Sequence, residues 1–321
     1  MKISIAMTTF NGSKYLHQQL SSFLIQDYLP DELIICDDGS SDNTMEILKE
    51  FSESAPFSVK IFKNKTNLGF TKNFEKTIKN CSGDIILLSD QDDKWFSNKI
   101  SSIIDFFKNN PTFSLVIHDA EIVDDEMKYH GANTLRQALV GYGNDDVYIT
   151  GALSAMKKEI VNYALPFPQN LVGHDGWIHD VGKILDLRKV INVPLGIIRR
   201  HQNNTSGWIA SSATKINYFH VLIEQIKSIF LNHKQEYKNR MEINKSLTLV
   251  LERYAKENNK YSLDLKEKKI FLLKESQALV RRNNLQSSSF IVRKLKAIEL
   301  LFRGDYAYFN NLKSFIRDML R

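Results

Sequence analysis

Ile85-Ile86-Leu87-Leu88-Ser89-Asp90-Gln91-Asp92-Asp93 is the stretch that decides the fold. Four consecutive apolar residues make a short strand buried on both faces, and an abrupt acidic cluster ends it. In open α/β sheets, ligands sit at the carboxyl ends of the strands. Asp90 and Asp92, one residue apart at such an end, offer hard oxygen ligands suited to Mg²⁺ or Mn²⁺. A cation with open positions can bridge the two phosphates of a nucleotide diphosphate. Alone, an Asp-X-Asp is more often a surface turn, and position is what favours a site here. Asp93 is equally well read as the N-cap of a helix starting near Phe96-Ser97.

The same grammar extends on both sides. Ile3–Met7 reads as a first strand, ending in Thr8-Thr9-Phe10-Asn11-Gly12. Ser13–Gln26 follows with Tyr15, Leu16, Leu20, Phe23 and Leu24 at helical spacing. Leu33–Cys36 is a second apolar run, closed by Asp37-Asp38-Gly39-Ser40, and Ser41 or Asp42 can cap the next helix. Val59–Phe62 reads as a third strand, Asn67-Leu68-Gly69 as a turn and Phe70–Lys79 as a helix. Apolar strands alternating with helices predict an α/β domain, a mostly parallel sheet with helices on both faces. Thr8–Asn11, Asp37–Ser40 and Asp90–Asp93 then share one edge of it. No Gly-x-Gly-x-x-Gly and no Walker A motif follows the first strand, which favours a metal-dependent diphosphate site over a glycine-rich phosphate cradle.

From about Thr214 strand signals vanish and helical periodicity takes over: Ile216 to Phe230, Leu247–Leu251, Leu263–Val280 and Phe290–Phe302. This places a boundary near residue 212, with residues 1–212 as the α/β domain and 213–321 as an all-helical subdomain. The net charge of the 321 residues is +6, and it is unevenly spread. Residues 213–321 hold 22 Lys/Arg against 11 Asp/Glu, so residues 1–212 are net acidic. A basic surface suits an anionic partner, and a solvated helical face is its ordinary explanation. Phe290, Ile291, Leu295, Ile298 and Phe302 share a face opposite Arg293, Lys294 and Lys296, and 305–321 repeats the theme. Such helices lie on anionic lipid or bury their faces in a bundle or a homodimer.

Two cysteines, Cys36 and Cys81, exclude a disulfide scaffold and a four-cysteine zinc site, and fit a reducing compartment. Ile3–Met7 is too short for the apolar core of a signal peptide, and no apolar run approaches the ~20 residues that span a bilayer. The expectation is a cytoplasmic protein, peripheral to the membrane at most, so the sequons at Asn64, Asn80, Asn203 and Asn204 carry no meaning.

Taken together, Thr8–Gly12, Asp37–Asp42, Asn67–Gly69 and Ser89–Trp95 resemble, in order and spacing, the family 2 glycosyltransferases of GT-A fold over roughly residues 1–210. Asp-Gln-Asp-Asp-x-Trp, with His174-Asp175-Gly176-Trp177 and 199–207 later, is most similar to the rhamnosyltransferase-like branch that builds bacterial surface polysaccharides such as O-antigen and capsule. The resemblance implies that Thr8, Thr9 and Asn11 line a nucleotide pocket with Phe10 near the base, and that Asp38 binds the base with Asp37 in support. It puts Lys72 by the base or diphosphate, Asp90 and Gln91 by the donor ribose or sugar, and Asp92 on the metal with His201. Asp175 matches the base, although the family often has Glu before it where this chain has His174. Gly151, His174 and Trp177 fall on the acceptor or donor-sugar side, and Trp177 reads equally as core.

These assignments fit inverting transfer, which needs a base for the acceptor hydroxyl and charge stabilisation on a leaving diphosphate. The expected donor is dTDP-β-L-rhamnose, with a UDP-hexose as the alternative. The expected acceptor is a glycan, free or linked to undecaprenyl diphosphate. A nucleic-acid-binding protein is the reading from another class, but the tail's aromatics fall at core spacing and no nucleic acid is expected. A nucleotidyltransferase would need a glycine-rich, Arg-containing loop at 8–12, and a catalytically dead domain would not need Asp38, Asp92 and Asp175.

Overall fold

The computed structural model describes residues 1–143, 148–201, 204, 212–229, 233–258, 262–309 and 311–320. Gln202, Asn203 and 205–207 of the late motif, together with Phe230 and Arg321, lie outside the described residues. Two compact units emerge: residues 1–167 with 172–218, and 168–171 with 219–321. Gln137 ties residues 212–216 into the first unit, donating to the carbonyls of Ser212 and Thr214 and accepting from the Ile216 amide.

The first unit is built on a nine-stranded sheet. Its strands are β1 (Ile3–Thr9), β2 (Glu32–Asp37), β3 (Ser58–Lys63), β4 (Ile85–Ser89), β5 (Lys94–Trp95), β6 (Leu115–Val123), β7 (Tyr129–Asn133), β8 (Ser154–Lys157) and β9 (Arg188–Arg199). Their order is β3-β2-β1-β4-β8-β6-β9-β5, with β7 paired to β6. The stretch β3-β2-β1-β4 is all parallel. Beyond β4 the sheet is mixed: β8 runs antiparallel to both neighbours, and β6 and β9 are parallel to each other. The parallel reading thus belongs to the β3-β2-β1-β4 half.

The reason is visible in the strands. β2 and β4 are buried at every position. Ile3, Ile5, Met7, Leu33, Ile35, Ile85 and Leu87 point into a core shared with Leu16, Leu20 and Phe23 of α1 (Ser13–Leu24), Leu48 of α2 (Thr44–Ser54) and Ile103 of α4 (Lys99–Asn109). The alternate residues face the other side, where α3 (Phe70–Asn80) packs on β1 and β2. Three further helices complete the unit, α5 (Thr134–Tyr142), α6 (Lys158–Ala164) and α7 (His174–Ile184).

The second unit is helical: α8 (Tyr218–Ile229), α9 (Lys234–Glu257), α10 (Leu263–Leu285), α11 (Phe290–Phe302) and α12 (Asn311–Leu320). Gly304 adopts φ +75° and stops α11, and a 3-10 turn at Asp305–Tyr308 occupies the start of the segment read as 305–321, so that α12 begins only at Asn311. Two charged pairs staple the unit. Arg282, buried, donates to Asp318 at 2.7 and 3.2 Å, and Arg281 forks onto Asp305 at 2.6 Å twice. Among the described residues no helix is long and apolar enough to cross a membrane.

Candidate active site

The loops after β1, β2 and β4 meet at one edge of the sheet and are sewn together by their own side chains. Thr9 donates to Asp37 at 2.9 Å, Ser41 N–H to Asn11 Oδ1 at 2.9 Å, and Gly12 N–H to Thr44 at 2.9 Å. Asp42 accepts from Ser13 N–H at 3.0 Å and Thr44 N–H at 3.1 Å, joining the starts of α1 and α2. These bonds and the Thr44 hydroxyl hold its carboxyl down at about 2 against the opposing effect of burial. Gln91 pairs both ways with the backbone of Phe10, accepting at 2.9 Å and donating at 3.1 Å. A Cβ at position 12 would displace the Gln91 amide from this pairing, so Gly12 leaves room for it. Gln91 therefore clamps the β1 loop to the acidic loop.

Asp37 is fully buried and accepts from Thr9, Gly39 N–H and Ser40 N–H, which makes it the organiser of its own loop. Asp38 is buried too. It accepts from Asn64 at 2.8 Å, Leu68 N–H at 2.8 Å and Gly69 N–H at 2.9 Å, fastening the Asn67-Leu68-Gly69 turn to the end of β2. Lys72 is turned to Glu75 at 2.7 Å. Thr8 is half-buried at the strand end, and Phe10 is 48% exposed, an aromatic face open to a flat partner.

Asp90, Asp92 and Asp93 offer carboxylate oxygens within 4.8 Å of one another. Burial, then the charges of Asp92 and Asp175, push the Asp90 carboxyl up to about 7. Asp93 is driven well above the usual range by burial and then by the charges of Asp92 and Asp90. A cluster that resists full ionisation this strongly fits a divalent cation, and the all-oxygen donor set is that of Mg²⁺ or Mn²⁺. Asp92 also accepts from Asn204 at 3.3 Å and lies 2.8 Å from Nε2 of His201. Asp93 is not a helix cap: α4 starts at Lys99 after Asn98, and the Asp93 carboxylate accepts from Arg199 N–H at 3.2 Å.

Asp175 stands in the first turn of α7, half-buried, with Gly176 N–H donating to it at 2.9 Å. Its charge reaches Asp90 on the far side of the chain's sequence. His174 is buried, stacked on Phe74 at 3.8 Å, with both ring nitrogens lacking a protein partner. Burial lowers its pKa to about 4, so the ring is neutral near pH 7. Gly151 opens a buried 3-10 turn, and a Cβ there would stand 2.5 Å from Nε2 of His174, so the two positions are packed as a pair. Trp177 corrects the sugar-stacking expectation: it is 2% exposed and donates its indole N–H to the Ala164 carbonyl at 2.8 Å, so no face is open to a sugar. His179 likewise serves the fold, held between Ser154 at 2.9 Å and Arg188 at 2.8 Å.

Four residues of the site escape the sequence reading. Tyr15, counted there among apolar helix positions, is sandwiched between His201 at 4.5 Å and the Arg199 guanidinium at 4.8 Å, with its hydroxyl donated to Asp125 at 2.7 Å. Arg199 also donates to the Asp92 carbonyl at 3.1 Å, the Asp125 carbonyl at 3.0 Å and the Gln18 amide. Arg200 is half-buried beside the three aspartates, and burial lowers its pKa against their opposing pull. Lys99, 1% exposed, lies over the Trp95 ring at 3.8 Å and donates to the Ala152 carbonyl at 3.2 Å. Burial lowers its pKa to about 7, while Asp93 and Asp90 act the other way. The Arg199-Arg200 pair was in view as part of a motif, but nothing in a sequence marks Lys99 as buried.

Residues 4–162 match the model of the family described as Glycosyl transferase family 2. Among curated relatives, the dTDP-rhamnosyl transferase RfbG of Shigella flexneri is 29% identical over 63% of this chain and 73% of its own length. The UDP-Glc:alpha-D-GlcNAc-diphosphoundecaprenol beta-1,3-glucosyltransferase WfgD of Escherichia coli is 37% identical over 35% of this chain and 43% of its own. Among solved structures, S. aureus TarS 1-349 in complex with UDP aligns over 98% of this chain and 90% of its own, with TM-score 0.56 and 14% identity, a likeness of fold. The strand-end aspartates, the GT-A likeness of the sheet and the family match over residues 4–162 agree: the chain is a glycosyltransferase.

Proposed function

We propose that this protein is an inverting glycosyltransferase that moves a sugar from a pyrimidine nucleotide diphosphate to a hydroxyl of a glycan acceptor in bacterial surface polysaccharide synthesis. The observation that carries the reading is the cluster of Asp90, Asp92 and Asp93 at the end of β4, with Asp175 in the first turn of α7, more than eighty residues on, placed so that its charge raises the Asp90 carboxyl. Residues 1–212 do the chemistry in this reading, and residues 213–321 are an accessory helical part.

In the proposed reaction Asp175 takes the proton of the acceptor hydroxyl as its oxygen attacks the anomeric carbon. The bond from that carbon to the diphosphate oxygen breaks, and the configuration inverts. Asp90, Asp92 and Asp93, with His201 alongside, would hold a divalent cation, whose chemistry there would be to offset the charge of the departing diphosphate. Asp92 is kept in place by His201, Asn204 and Arg199. The β1 and β2 loops hold the nucleotide: Phe10 offers a stacking face, Thr8, Thr9 and Asn11 shape the floor, and Asp38 with Asp37 fixes the rim that meets the base. Lys72 can swing from Glu75 to a phosphate.

The donor we favour is dTDP-β-L-rhamnose, in line with the relative that is a dTDP-rhamnosyl transferase. A UDP-hexose is the second choice, in line with the glucosyltransferase named for UDP-Glc, whose diphosphoundecaprenol acceptor also motivates a lipid-linked acceptor here. A thermal-shift panel of dTDP, UDP, GDP, ADP and CMP, with and without Mn²⁺, tests this. At a hundredfold excess over its dissociation constant a ligand adds ~2.7 kcal/mol to the native state. A metal-dependent shift with dTDP supports the rhamnosyl donor, one with UDP redirects it to a hexose, and no shift with any nucleotide overturns the reading.

A further inference from the structure

We infer that the outward faces of α11 and α12 form a docking surface for an anionic lipid leaflet. On α11, Ile291, Leu295, Ile298 and Phe302 follow at i, i+4, i+7 and i+11, which keeps them within an arc of about 60°. Phe302 is 87% exposed, Ile291 71% and Leu295 64%. The same helix packs inward through Ala297 and Leu300, against Leu285 and Tyr306. On α12, Leu312, Ile316 and Leu320 are turned outward, whereas Ser314 and Asp318 are buried, with Asp318 bound by Arg282 and Tyr306. α11 thus turns most of its apolar surface outward, while α12 is divided, with Phe315 and Met319 packed inward and Leu312, Ile316 and Leu320 outward, and the two helices pack together in one unit. An outward apolar surface of this kind marks an interaction site rather than a solvated face.

Charge selects the occupant. Exposed Lys296 flanks the stripe on α11 and exposed Lys313 that on α12, while Arg303 is paired with the exposed Glu299 at 3.6 Å. Residues 213–321 carry twice as many basic as acidic side chains. A second copy would bring the same positive charge to the contact. An anionic leaflet brings the opposite charge together with hydrocarbon for the stripe. Neither helix is long or apolar enough to span, so the contact lies in the plane of the interface.

The test is flotation of the full chain with vesicles of phosphatidylcholine alone and of phosphatidylcholine mixed with phosphatidylglycerol, at low and high salt. The expected result is co-flotation with the phosphatidylglycerol vesicles, weakened by salt. Leu295→Glu and Phe302→Glu should each lower the binding constant roughly tenfold. Lys296→Gln and Lys313→Gln should each lower it about fivefold. Because these side chains are exposed, the melting temperature should hold; Phe302→Ser is the milder variant if Phe302→Glu lowers it. No binding to phosphatidylglycerol vesicles, or binding indifferent to the stripe variants, overturns the inference. So does a dimer in vesicle-free solution that Phe302→Glu dissolves, which would assign the face to a second copy. The readout needs no sugar transfer, so it fails or stands separately from the proposed reaction.

Discussion

His201 sets its Nε2 2.8 Å from Oδ2 of Asp92, across 109 residues of sequence, and its ring lies on Tyr15. This contact ties the end of β9 to the loop after β4, where the carboxylate cluster sits. If Asp92 anchors the cation, Asp92→Asn should cut kcat by about 10²–10³-fold. His201→Ala should cost less, about tenfold, and mainly raise the Mn²⁺ concentration needed for half-maximal rate, as loss of an orienting partner does. Metal titrations of initial rate for both variants check the difference.

Asp175→Asn keeps the size of the side chain and removes the base. Turnover should fall about 10²–10⁴-fold. The thermal shift given by nucleotide with metal should be unchanged, because Asp175 is assigned to the acceptor side. A variant that keeps full activity would remove Asp175 from the mechanism.

Asp90 links the cluster to stability. Its carboxyl is raised from 3.8 to about 7 in the folded chain. The folded state therefore binds the proton more tightly than the unfolded one. That contribution is complete below about pH 4 and is lost as pH rises through about 7. In chelator at pH 8, Asp90→Asn should be more stable than the parent by about 1–2 kcal/mol. At pH 4 the two should melt together, and added Mn²⁺ at pH 8 should stabilise the parent more than the variant. Melting curves at the two pH values decide it.

Gly151→Ala puts a methyl group 2.5 Å from the His174 ring, itself stacked on Phe74. The overlap should cost about 1–3 kcal/mol, read by chemical denaturation. The double variant Gly151→Ala/His174→Ala should recover part of that loss if the two residues are coupled.

In the helical unit, Asp318→Ala leaves the buried Arg282 guanidinium without its carboxylate. The expected loss is about 3–5 kcal/mol, since an uncompensated buried charge is what such a deletion creates. Replacing Arg282 and Asp318 together by Met and Leu should cost far less. Denaturation of the single and double variants separates the two outcomes.

The strands, the helices around them and the acidic loops of the first half are legible in the sequence because each is a local signal. Ile85–Leu88 has to be buried on both faces, and Asp90 and Asp92 must then emerge at a strand end. The antiparallel partners β8 and β5 are not legible, since four- and two-residue strands carry too little pattern to show direction. Roles that depend on distance divide in the same way. Trp177 and Lys99 carry opposite polarity in the sequence, yet both are core residues, one by donating to Ala164 and the other by lying on Trp95. Gln91 stands between two aspartates as if for a ligand, and only its pairing with Phe10 shows it to be a clamp.

By itself, then, the sequence determined what period and residue chemistry can encode: a strand-helix alternation, acidic strand ends and a basic helical tail. Tertiary structure alone decided which far-apart side chains share a few ångströms, Asp92 with His201 and Tyr15 with Arg199 and His201, and that the charge of Asp175 is felt at Asp90. It also decided which faces of α11 and α12 turn outward. The physical reason is that burial and mutual charge are properties of neighbours in space, and a carboxylate or an indole takes its role from the groups packed against it.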